Sequence, residues 1–140
     1  MARSEPVEVR WKGEGLRFKA RAPRGEFDVA SALDEPGHGP SPMQVFAVSL
    51  AACTAMDVAS ILLKMRQPLE AFAVEVSGER AEEHPKRFLS LEVVYKLTGE
   101  LDEKKVQRAI DLSETKYCSV EGTLRDAVPI SSRYVIEHSH

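Results

Sequence analysis

Two cysteines carry most of the chemistry this 140-residue chain can offer. Cys53 lies within the apolar run SPMQVFAVSLAACTAMDVASILLK, and Cys118 lies far downstream in SETKYCSVEG. Each falls on a helical pattern. A thiol so placed is either a small buried hydrophobe, since free cysteine is among the most buried residue types, or one half of a dithiol that cycles through a disulfide if the two sulfurs meet in space. The residues alone leave both readings open. There is no Cys-x-x-Cys pair, and His38, His84, His138 and His140 are scattered along the chain. Ligand spacing for zinc is therefore missing, and neither a metal nor another cofactor is expected.

The surroundings of Cys53 narrow the chemistry. Helical neighbours lie three and four residues apart, so Ser49, Cys53, Asp57, Ser60 and Lys64 share one stripe. That stripe is either the less buried side of an amphipathic helix or the lining of a cleft that holds Cys53. Asp57 on a mostly buried helix needs a cationic or hydrogen-bonding partner. One turn from Cys53 it opposes thiolate formation unless a cation neutralises it. Arg17, Lys19 and Arg21, alternate residues of one strand, are the candidates; their other reading is a solvated strand face. At Cys118 the helical pattern breaks. Ser119 is placed to cap the next helical segment, which would leave the thiol near backbone N–H groups that favour a thiolate. The competing reading is a small buried residue at a helix contact.

The elements that must position these residues follow from periodicity. Val7, Val9 and Trp11 alternate with polar residues, as do Leu16, Phe18, Ala20 and Ala22 after a glycine-bearing turn, which predicts a hairpin. A short third strand falls around Glu26–Ala30, and Asp34–Pro42 is a loop rich in proline and glycine. A helix begins with Ser41 as N-cap and Pro42 at its first position, runs to about Arg66, and stops before Pro68. At roughly 35 Å it would span the domain. It is apolar on nearly every side, too much so for one small sheet to cover, and a second copy of the chain is expected against it. Phe72–Ser77 and Leu89–Thr98 alternate as two strands expected to pair antiparallel. Asp102 caps a second helix with Val106, Ala109, Ile110 and Tyr117 on its apolar face. Val120, Leu124, Ala127 and Val128 continue at helical spacing until Pro129, and Ile130, Ser132, Tyr134 and Ile136 mark a last strand.

Composition bounds the rest. The length fits one domain. The formal net charge of -3 argues against nucleic-acid binding through a basic field. The N-terminus MARSEPVEVRW lacks the apolar core of a signal peptide, and Asp57 interrupts the stretch nearest to a membrane span. A soluble cytoplasmic protein is the expectation, a setting in which a disulfide is transient and catalytic rather than structural. No phosphate-cradling glycine loop, nucleophilic-serine elbow, or histidine beside a predicted nucleophile is present.

The segment PSPMQVFAVSLAACTAMDVASIL resembles the central helix of the OsmC/Ohr family, the osmotically inducible protein C and organic hydroperoxide resistance proteins. Ser41-Pro42-Met43 leads into a small-small-Cys step, Ala51-Ala52-Cys53, and a second cysteine follows in Lys116-Tyr117-Cys118-Ser119. The resemblance covers essentially the whole chain. It implies one OsmC-like domain over residues 1–140 of α+β class. Antiparallel sheets would wrap two central helices in the order β-β-β-α-β-β-α-β, within an intertwined homodimer. It further implies a thiol-dependent peroxidase acting on organic hydroperoxides in oxidative-stress defence. Cys53 would be the peroxidatic thiol, Cys118 the resolving one, and an external dithiol the reductant. The chain departs from the pattern at Met43, where active members carry a glutamate, as in a divergent subgroup that keeps both cysteines and an aspartate in the place of Asp57. Arg17 is the nearest match to the family's strand arginine, and Asp57 with a strand arginine would replace the missing pair. The alternative is a non-catalytic OsmC-like dimer that binds a small apolar ligand or senses oxidation.

Overall fold

A computed structural model of the chain describes residues 1–139, so His140 lies outside the described residues. The chain forms two compact units, the first Met1–Phe46 and the second from Ala47 onward.

In the first unit β1 (Glu8–Trp11), β2 (Arg17–Ala22) and β3 (Gly25–Ala30) form a three-stranded sheet in sequence order. Both pairings are antiparallel, with Trp11 opposite Phe18 and Phe18 opposite Val29. Alternation produces the strands, but Val9, Trp11, Leu16 and Phe27 remain exposed. The unit ends on the first turn of α1 (Pro42–Lys64). There Ser41 Oγ accepts the Gln44 N–H at 3.3 Å and the Gln44 side chain accepts the Ser41 N–H at 2.9 Å. This reciprocal box satisfies two helix-start donors and fixes where the helix begins.

The second unit holds the rest of α1, then β4 (Ala71–Arg80), β5 (Phe88–Thr98), α2 (Glu103–Leu112), a π-helical turn (Ser113–Tyr117), α3 (Ser119–Leu124) and β6 (Ile130–Glu137). Asp102 caps α2, its carboxylate accepting the Lys104 and Lys105 N–H groups. The core gathers Leu50, Val58 and Leu62 of α1, Leu91, Val93, Tyr95 and Leu97 of β5, and Val106, Ala109 and Ile110 of α2. The α+β architecture and element order follow the sequence pattern, with one difference. β4 and β5 pair antiparallel, but β6 runs parallel to β5, with Tyr95 opposite Tyr134. The connection through α2, the π turn and α3 returns the chain to the end of the sheet from which β5 set out, the kind of long crossover a parallel pair requires.

Along α1 only one stripe is buried, Leu50, Thr54, Val58 and Leu62. Val48, Met56 and Leu63 are 59%, 71% and 63% exposed. Contrary to the sequence expectation, the 23-residue α1 does reach the length and hydropathy of a membrane span. Its buried threonine and its hydrogen-bonded Asp57 are features of a helix built into a protein core, since both would be costly in lipid. The helix stops at Lys64 because Arg66 turns left-handed, with φ 57°. The Gln67 N–H then reaches back to the Leu62 carbonyl at 3.0 Å, closing a Schellman-type end. A side chain at that φ costs about 1 kcal/mol that glycine avoids. Arg66→Gly is therefore expected to raise unfolding stability by up to about 1 kcal/mol, read as a higher denaturant midpoint at unchanged slope.

Candidate functional site

The sulfurs of Cys53 and Cys118 and a carboxylate oxygen of Asp57 lie within 4.8 Å of one another. Cys53 and Asp57 arrive one turn apart on α1. Cys118 is delivered by the π turn, whose closing bond runs from the Cys118 N–H to the Ser113 carbonyl at 2.7 Å. An i→i+5 bond widens the turn by one residue, so residues five apart face the same way. Ser113 and Cys118 accordingly both point inward, at 0% and 3% exposure, while Tyr117, expected on the apolar face, is 51% exposed.

The cap beyond the break also differs from expectation. Cys118 itself, not Ser119, is the N-cap of α3, its Sγ accepting the Glu121 N–H at 3.4 Å. That bond favours a thiolate, but burial outweighs it, and Cys53 alongside adds to the rise. The Cys118 thiol is pushed up to about 12 and keeps its proton at neutral pH. Cys53 is the more accessible of the two. Near them Glu121 is buried with Oε2 lacking a partner among the described residues. Its burial, with Glu114 adding and Arg125 opposing, raises its carboxyl to about 7.

Asp57 has no ion pair among the described residues; its Oδ2 accepts the Ser113 hydroxyl at 3.0 Å. Within one chain the partner is thus a hydroxyl, the hydrogen-bonding alternative to a cation. Ser113 Oγ lies 2.9 Å from Thr54 Oγ1, and Thr54 Oγ1 lies 2.7 Å from the Tyr95 hydroxyl. Tyr95 donates to Glu114 Oε2 at 3.0 Å, and Ser132 of β6 donates to Glu114 Oε1 at 3.0 Å. Burial, the largest cause, holds the Tyr95 phenol far above its ordinary range, so it acts only as a neutral hydroxyl. Sequence reasoning passed over Thr54, Tyr95, Ser113 and Glu114. The available signal was a hydroxyl on the apolar face of a strand and another beside Cys53, each of which needs a partner once buried.

Arg17 belongs to the first unit. There it grips Asp34 with two bonds, Nε to Oδ2 at 3.1 Å and Nη2 to Oδ1 at 3.2 Å, and reaches Glu14 at 2.7 Å. The Arg17 guanidinium, with the Leu16 and Glu35 N–H groups, holds the Asp34 carboxyl down at about 2. Lys19 pairs with Asp28 and Arg21 with Glu26, so the three cations are matched within their own unit. The polar stripe of α1 does border a cleft of about 460 Å³, lined by Asp57, Ser60, Ile61, Lys64, Met65 and Tyr117. Cys53 sits one turn above that lining. Three donors fall short of the four of a closed zinc site.

The fold and dithiol define the class. The family model for OsmC-like proteins matches residues 35–133, and the chain belongs to that family. It is 36% identical to Protein YhfA of Escherichia coli (strain K12) over 131 residues, 93% of this chain and 96% of the relative. A hypothetical protein of Aquifex aeolicus VF5 superposes with a TM-score of 0.87 at 28% identity, covering 100% of both chains. The organic hydroperoxide resistance protein OhrB of Bacillus subtilis shares the fold, with a TM-score of 0.63 at 18% identity over 94% of this chain and 98% of that one.

Glu121 gives the site a pH signature. Below its ordinary value of 4.5 the carboxyl is neutral folded or unfolded. Between there and about 7 the unfolded chain releases the proton while the folded chain keeps it, so stability falls across that window and then levels. Chemical unfolding should show a loss on the order of 2 kcal/mol from mildly acidic to neutral pH, largely abolished in Glu121→Gln.

Proposed function

We propose that the protein is a thiol-dependent peroxidase that reduces organic hydroperoxides. It would act as a homodimer, soluble in the cytoplasm, in defence against oxidative stress. The observation that carries this reading is the convergence of Cys53, Cys118 and Asp57 within 4.8 Å; the fold shared with a hydroperoxide resistance protein supports it. Cys53 transfers its proton to Asp57, which cancels the carboxylate charge that would otherwise oppose a thiolate, and the thiolate attacks the peroxide. The O–O bond breaks, sulfur loses two electrons and becomes a sulfenic acid, and the alcohol leaves with the proton from Asp57. The Cys118 thiol then attacks the Cys53 sulfur, forming the disulfide and releasing water with the Cys118 proton. An external dithiol reduces the disulfide by exchange. Met43 offers no carboxylate and Arg17 is engaged by two acids, so in this reading Asp57 handles the proton.

The exposed apolar residues of α1 and of the first sheet support a second copy of the chain as the partner that covers them. Light scattering at micromolar concentration should give twice the chain mass, and a well-folded monomer would remove that part of the reading. For the activity, wild type should consume cumene hydroperoxide with dithiothreitol over many turnovers. Cys53→Ser should be inactive, and Cys118→Ser should accumulate a sulfenic acid trappable by dimedone. A second reading, a non-catalytic dimer, is favoured by an apolar hollow of about 300 Å³ in the first unit, lined by Val9, Leu16, Phe18, Val29 and Pro42 among others. That reading gains if consumption stops after one equivalent or if both thiols stay alkylatable after prolonged exposure.

A further inference from the structure

The buried hydroxyls join two carboxylates into one chain, in the order Asp57, Ser113, Thr54, Tyr95, Glu114, linked by four hydrogen bonds. Each bond needs a proton. The three hydroxyls bring three, so with both carboxylates ionised one of the four contacts is left without a proton. Thr54 in the middle shows the conflict: Ser113 spends its proton on Asp57 and Tyr95 spends its own on Glu114, so both turn acceptors toward Thr54, which can donate to only one. A single added proton at either end completes the chain. Placed on Asp57, it lets every hydroxyl donate toward Glu114; placed on Glu114, it lets every hydroxyl donate toward Asp57. The two arrangements interconvert by rotation of hydroxyls and short proton shifts, with no heavy atom displaced.

The added proton has an evident source. Asp57 lies within 4.8 Å of both sulfurs, and a thiol that becomes a thiolate must leave its proton somewhere. We propose that Glu114 is a positioning residue of the thiol site, giving the proton released by Cys53 at Asp57 a complete hydrogen-bonded path and a second carboxylate to rest on. The chain is built for this use. Thr54, Ser113 and Tyr95 are each fully buried, so water does not compete for their protons. Glu114 is held at its far oxygen by Ser132 and at its carbonyl by Arg125. The charged and titratable groups facing the chain are Cys53 and Cys118 at the Asp57 end, Glu121, which acts on Cys118, Tyr95 and Glu114, and Arg125 at the Glu114 end. The inference gives the peroxidase reading its means of activating Cys53 without the missing glutamate, and in that sense rests on it.

The test reads thiol reactivity and not turnover, so the two readings fail separately. The reduced protein is labelled with iodoacetamide across the neutral pH range, and modification of Cys53 is followed by mass spectrometry. In E114Q the new amide N–H donates to Tyr95 and fills the vacancy permanently; in Y95F the chain is cut and its remaining hydroxyls suffice. Both variants should label Cys53 about fivefold more slowly at neutral pH, the equivalent of one hydrogen bond of about 1 kcal/mol. Both should converge on the wild-type rate at alkaline pH, shifting the profile upward. A purely structural role would lower the unfolding midpoint and leave that profile in place, and superimposable profiles would overturn the proposal. A shifted profile in a protein that never turns over peroxide sustains the relay and removes the peroxidase reading.

Discussion

One buried hydroxyl, that of Ser113, ties the two helical segments of the site together. It bridges Thr54 and Asp57 of α1, and its carbonyl closes the π turn that aims Cys118 inward. In a water-free interior such a group must be bonded, because leaving it unpaired costs more than the bond itself contributes. The constraint therefore acts as a positional lock. In the relation between the α1 stripe and the turn that lets Ser113 satisfy Asp57 and Thr54 together, the two thiols are neighbours.

The environments of the two thiols differ in a way that fits the order of action proposed for them. Cys118 is enclosed, caps α3 with its own sulfur, and is driven by burial to hold its proton. Cys53 is only partly buried and stands beside the carboxylate. An attacking thiol profits from access and a nearby base; a resolving thiol needs only proximity to the sulfur it will meet, and gains from staying inert until then.

Much of this was legible in the sequence. Alternation locates the strands, Ser41 and Asp102 mark helix starts, and residue type and spacing mark the two thiols and Asp57. Three things were not legible. The direction of β6 leaves no trace in a period-two pattern, which reads the same for parallel and antiparallel pairing. The π turn is a one-residue dilation of a helical period with no compositional mark, so Tyr117 was assigned inward and Ser113 was overlooked. Candidate cations for Asp57 can be named because charge complementarity can be read along a chain. A serine reached across the fold has no such signature, and only the packing of two helices selects it.

The parallel pairing of β6 with β5 has a consequence for the order in which the protein acquires its chemistry. Glu114 is oriented by Ser132, a residue of the last strand, and the π turn lies in the crossover that this strand closes. During synthesis from the N-terminus, Cys53 is made before any of these elements. A nascent chain presents it as a lone thiol, before Cys118 and the hydroxyl that holds Asp57 have been made. The surroundings of Cys53 are completed by β6, so unfinished or truncated copies carry the cysteine without them.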